Sequence, residues 1–137
     1  MTRGTAYLIL RDKVIRTDEF NGDMYGSPKD CKEAQREGHY PEMMERLKRV
    51  KSAGEFRKEL RAFNGGDDHA FPTGFHNCDM EDIDLSVDYF GKFHSDYLFF
   101  KNLSGRTVTI IDDKKRPIKL KNGLTATFHY GEFIEIA

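Results

Sequence analysis

The chain has 137 residues, enough to bury one substantial core, and it is read as a single domain, 1–137. Its 22 Lys and Arg nearly balance 23 Asp and Glu, so the net charge of −1 creates no global field that would select nucleic acid or an anionic membrane. Eleven Phe, six Tyr and a 38% hydrophobic content exclude a disordered chain, and no apolar run reaches the length of a membrane span.

In chain order, Thr5 to Arg11 reads as a strand, Asp12-Lys13 as a turn, and Val14 to Thr17 as the returning hairpin partner. Asn21-Gly22-Asp23 and Gly26 carry turn chemistry and end that unit. Ser27-Pro28 suits a helix start, because serine caps free amides and proline fits the first helical position, so a helix is predicted over 28–37. Pro41 opens a second helix over 41–51, with Met43, Met44, Leu47 and Val50 on one face. Ser52-Ala-Gly-Glu55 matches a capping box and starts a third, 53–63, with Phe56, Leu60 and Phe63 on its buried stripe. Asp67 to Asn77 reads as an irregular loop.

The remainder reads as a β-meander with strands over 82–90, 96–102, 107–112, 118–121, 124–130 and 132–136. Asn122-Gly123 is the type I′ hairpin signal, and Ser104-Gly105 and 112–117 supply other turns. Strands, then helices, then strands imply an α+β fold: a mostly antiparallel β-sheet with about three helices on one face.

The most unusual stretch lies between Asp67 and Asp88, which holds seven carboxylates and no Lys or Arg. From Asp82 to Tyr89 polar and apolar residues alternate, which turns Ile83, Leu85, Val87 and Tyr89 to a core and Asp82, Asp84, Ser86 and Asp88 outward. Alternate residues on a strand recur every ~7 Å, close to the spacing of phosphates along a nucleic-acid strand. Two readings stand side by side: the solvated face of an antiparallel strand, or a nucleic-acid decoy. In the second, Asp67, Asp68, Asp79, Glu81, Asp82, Asp84 and Asp88 form a partner-binding acidic surface. Residues 101–121 are the opposite, with seven Lys or Arg against Asp112 and Asp113.

Cys31, His69, His76 and Cys78 are a candidate structural zinc set, supplying four N/S donors if the loop around Gly74 curls. No standard zinc spacing is present, and buried cysteines acting as small hydrophobes are the competing reading. No catalytic motif occurs. Cys78 and His76 are too close in sequence to form a nucleophile–base pair, and Asp112-Asp113-Lys114-Lys115 suits a hairpin turn better than a nuclease site. An N-terminal nucleophile at Thr2, exposed by Met1 removal, needs a larger sandwich than this domain offers. Arg46, Lys48 and Arg49 and the basic 114–116 turn can touch phosphates, but Glu42 and Glu45 interrupt the first group. With two cysteines and no export signal at the start, a reduced, cytoplasmic protein is expected.

The opening Thr2-Arg3-Gly4-Thr5, followed by a strand, a polar hairpin and Asn21-Gly22-Asp23-Met24-Tyr25, resembles a loose group of small phage and mobile-element proteins. Here Gly26-Ser27-Pro28 replaces the group's usual proline after the tyrosine. The resemblance implies a phage gene acting in a bacterial cytoplasm. Small phage proteins without catalytic motifs are often inhibitors of host defence, such as anti-CRISPR proteins. The expectation is therefore a non-enzymatic inhibitor that binds a bacterial defence protein such as a CRISPR nuclease, with no membrane contact. A small hydrolase or nucleotide-modifying enzyme, a direct nucleic-acid-binding regulator and a structural phage component are the alternatives.

Overall fold

The computed structural model describes residues 3–21, 40–61, 74–78, 86–87 and 95–137. The predicted 28–37 helix and nearly all of the predicted 82–90 strand lie outside them.

The centre of the molecule is β1 (Arg3–Ile9), pairing antiparallel with β2 (Val14–Thr17) and parallel with β5 (Tyr97–Asn102). The sheet path is β4-β2-β1-β5-β8-β9, where β4 is Phe75–Cys78, β8 Thr125–His129 and β9 Glu132–Ile136; β3 (Phe20–Asn21) also pairs with the start of β1. All of β5, and β1 beyond Arg3, are buried on both faces. That is why Ala6-Tyr7-Leu8-Ile9 and Tyr97-Leu98-Phe99-Phe100 are continuous apolar runs rather than alternating ones.

Alternate residues serve two cores. Ala6, Leu8, Ile15, Phe20, Tyr97 and Phe99 pack with Met43, Met44, Leu47, Val50, Phe56 and Leu60 of helices α1 (Tyr40–Lys48) and α2 (Ala53–Arg61). Tyr7, Ile9, Val14, Leu98, Phe100, Ala126 and Phe128 pack with Val87 and with Val108, Ile110 and Leu120 of a separate hairpin, β6 (Val108–Ile111) and β7 (Pro117–Leu120). The layers are thus helices, sheet and hairpin.

The fold is α+β, with a mixed sheet and two helices among the described residues. Three expectations change. The sheet is not a simple meander: β1 and β5 are parallel, a pairing across 93 residues that local turn signals do not encode, and β6–β7 leaves the sheet between β5 and β8. The Asp67–Asn77 stretch is not all loop, because Phe75–Cys78 pairs with β2. The second helix stops at Lys48, since residues 49–51 must deliver Ser52 as the cap of α2. There Ser52 Oγ accepts the Glu55 amide at 3.2 Å, and the Glu55 carboxylate reaches back to the Lys51 amide at 2.9 Å.

The type I′ turn is also not at Asn122-Gly123. Only Gly123 of that pair has positive φ, +88°, and the turn carries the chain from the hairpin layer back to the sheet. The I′ geometry is at Tyr130-Gly131, φ 50° and 80°, joining the paired residues His129 and Glu132. The Tyr130 amide donates to the Asp96 carbonyl at 2.8 Å, which helps hold a side-chain-bearing residue in the left-handed region.

Candidate functional site

The acidic segment enters the described structure only at Ser86 and Val87. Val87 is 2% exposed and belongs to the hairpin-side core, while Ser86 is half-buried. Ser86 bridges Ile111 in parallel fashion, and the Val87 amide donates to the Ile111 carbonyl at 2.7 Å. At this point the chain therefore runs beside β6, with Val87 turned into the core as the sequence predicts. Asp67, Asp68, Asp79, Glu81, Asp82, Asp84 and Asp88 lie outside the described residues.

Of the proposed zinc donors, Cys31 and His69 also lie outside the described residues. His76 and Cys78 sit on β4, whose register with β2 (Val14↔Cys78, Arg16↔His76) keeps the chain extended instead of curled around an ion. They share one face of the strand, ~7 Å apart along it. Cys78 packs into the hairpin-side core, and His76 Nε2 meets Asp18 Oδ1 at 2.5 Å. Among the described residues no group of three or more His, Cys, Asp or Glu is placed to hold a metal.

A polar cluster that the sequence reading did not single out closes the head of β1. The Arg3 amide donates to Asp96 Oδ2 at 2.8 Å, and the Arg3 guanidinium pairs with Glu19 at 3.2 Å. Ser95 Oγ donates to Glu19 Oε1 at 3.3 Å and lies 2.5 Å from Thr5 Oγ1. Between them Gly4 admits the Phe20 ring, which would come within 2.6 Å of any added Cβ. The Arg3-Gly4-Thr5 motif thus has a structural meaning: a salt bridge, a ring seat and a buried hydroxyl bond that lock β3 and β5 onto β1. Thr5 and Ser95 are 5% and 3% exposed, so neither hydroxyl is open to a substrate carbonyl.

Arg46, Lys48, Arg49, Lys114 and Arg116 are engaged internally. Arg49 forks onto Glu59 through Nε and Nη2 at 3.2 and 3.1 Å, Arg46 Nη1 donates to the Glu59 carbonyl at 3.3 Å, and Lys48 pairs with Glu45 at 2.9 Å. The Arg49 hydrogen bond overcomes partial burial and holds the Glu59 carboxyl below its usual range. In the β6–β7 turn, Asp112 Oδ1 accepts the Lys114 and Arg116 amides at 3.0 and 2.8 Å, and Oδ2 accepts Arg116 Nε at 2.8 Å. Burial pushes the Asp112 carboxyl up, but the Arg116 amide and guanidinium with the Lys114 amide outweigh it and leave the group lowered. Asp112 therefore builds the turn, as its place before Pro117 suggested, and His129 stacks on Tyr97 with ring centroids 4.2 Å apart.

Comparison with protein-family models, curated proteins and solved structures found no match to this chain. Among the described residues no helix is long and apolar enough to cross a membrane.

Proposed function

We propose that this chain is a non-enzymatic, stoichiometric inhibitor of phage type, binding a bacterial defence effector such as a CRISPR nuclease in the host cytoplasm through its acidic segment. The observation that supports the reading is the contact of Ser86 and Val87 with β6: Val87 is sealed in the core while Ser86 beside it is half-buried. The period-two pattern of the sequence assigns Asp82, Asp84 and Asp88 to the same side as Ser86 and opposite Val87. A row of carboxylates at that spacing complements a positively charged channel that accepts a nucleic-acid backbone, and such complementarity mainly speeds association and sets register.

The ion pairs of Arg46, Lys48 and Arg49 favour protein binding over direct nucleic-acid binding, because engaged cations release fewer counterions from a phosphate backbone. The closed Thr5–Ser95 pair gives no support to a small hydrolase or nucleotide-modifying enzyme. A structural zinc on Cys31, His69, His76 and Cys78 would be an addition to this reading, and elemental analysis of the purified chain measures it directly.

Size-exclusion chromatography of the chain mixed with duplex DNA, and separately with a bacterial extract, tests the function. Co-elution with a nucleic-acid-binding protein and none with DNA is the expected result. A shift with DNA alone, steeply reduced by salt, would replace this reading with a regulator that contacts nucleic acid directly.

A further inference from the structure

Tyr7, Arg16 and His76 are directly paired across three neighbouring strands, β1, β2 and β4. Paired residues of antiparallel strands share a face, so the three side chains form one row on the hairpin side near the sheet edge. Tyr7 floors this row, 5% exposed and stacked on Phe100 at 4.8 Å. Arg16 is partly buried. Its Nε is shut off from solvent with no hydrogen-bond partner, and among the described residues its guanidinium has neither a hydrogen bond nor an ion pair.

A guanidinium at such a place ordinarily has a counter-ion, because removing it from water is costly unless a charge answers it. The nearby groups do not answer. The Asp18 carboxylate is taken by His76, and Glu19 is taken by Arg3 and Ser95. Burial holds the Tyr7 phenol well above its ordinary value, an effect Arg16 only partly opposes, so Tyr7 stays neutral. Among the described residues the sheet places a cation here with no carboxylate bonded to it.

We propose that Arg16 is the anchor of a small-molecule site for a carboxylate, flanked by the half-exposed His76 imidazole. With Nε walled in, the stem and plane of the guanidinium are held, and its two Nη groups are the donors left to meet a ligand end-on. Two parallel N–H bonds to the oxygens of one carboxylate match that fork. The Asp18 and Glu19 charges close by oppose a dianion, which favours a monocarboxylate over phosphate. This site does not depend on the acidic segment or on any protein partner.

The test is an NMR titration of the Arg16 Nε–H signal in the full chain with acetate, with inorganic phosphate at matched ionic strength, and with chloride as control. The site predicts a saturable shift with acetate, weaker binding of phosphate, and no saturation with chloride. Arg16→Lys keeps the charge and loses the fork, so acetate affinity, read from neighbouring backbone amides, should fall at least about tenfold. Arg16→Met should abolish saturation while circular dichroism stays unchanged. Phosphate binding tighter than acetate would overturn the carboxylate assignment. Non-saturating shifts with every anion, or an Arg16→Lys chain that binds acetate as the parent does, would overturn the site.

Discussion

Lys114 Nζ lies 2.7 Å from Glu132 Oε1, and this pair fastens the tip of the β6–β7 hairpin to the turn that joins β8 and β9. The Asp113 amide adds a bond to the Gly131 carbonyl at 3.0 Å, and Arg116 Nη2 approaches the same Glu132 at 4.0 Å. Ser86 and Val87 rest on β6, so the latch holds the layer they pack against. Both members of the Lys114–Glu132 pair are about half exposed, so the latch is an ordering device more than a source of global stability. Glu132→Gln should speed amide hydrogen exchange at Asp113 and along the β6–β7 turn and leave β1 and β5 amides unchanged. Equal acceleration in both places would show that the pair stabilises the whole fold instead.

Gly131 is the most constrained position of that latch. Its φ of +80° is strained for any residue with a Cβ, and a Cβ there would sit 3.0 Å from Asp113 Cβ. Gly131→Ala should therefore cost about 1–3 kcal/mol, measured by urea denaturation. Asn122→Ala, which alters no positive φ, should cost less. The reverse order would show that the Gly105 amide bond to Asn122 Oδ1, 2.6 Å long, outweighs the backbone constraint at Gly131.

Lys101 is 1% exposed, and its Nζ donates to the Gly123 carbonyl at 2.7 Å. Burial, with a smaller contribution from Lys51, lowers its value below the usual 10.5. Between the lowered folded value and the unfolded one, the unfolded chain holds the extra proton. Stability then rises with pH through that window and gains nothing further above it. Lys101→Met should flatten this alkaline rise in a series of denaturation curves. A variant whose stability climbs with pH as steeply as the parent would rule Lys101 out as its source.

Local periodicity made much of this fold legible. The apolar face Met43, Met44, Leu47 and Val50, the Ser52 cap, the strand Glu132–Ile136 and the inward Val87 all follow from spacing that one segment carries by itself. What sequence reasoning missed was non-local. The parallel β1–β5 pairing joins residues 93 apart, and β4 shows only four residues, His76-Asn77 among them, with little β character of their own. Nor did Asn122-Gly123 make the expected hairpin, because β7 had already paired with β6 and β8 with β5.

The candidate sites divide along the same line. The acidic run stands out as composition, yet β6 was not an obvious neighbour of Ser86 and Val87 within it. Arg16 drew no attention as one cation among 22. Its lack of a counter-ion emerges only when β2 is laid between β1 and β4 and the nearby carboxylates are seen to be committed elsewhere.

The central proposal is that the carboxylates Asp82, Asp84 and Asp88 recognise a nucleic-acid-binding partner. It is tested most directly by charge reversal at Asp82, Asp84 and Asp88 to lysine, with parent and variant immobilised side by side against a bacterial extract. The parent should retain a nucleic-acid-binding protein that duplex DNA displaces, and the triple variant, with an unchanged melting temperature, should lose it. Equal retention of that protein by a folded triple variant would contradict the account.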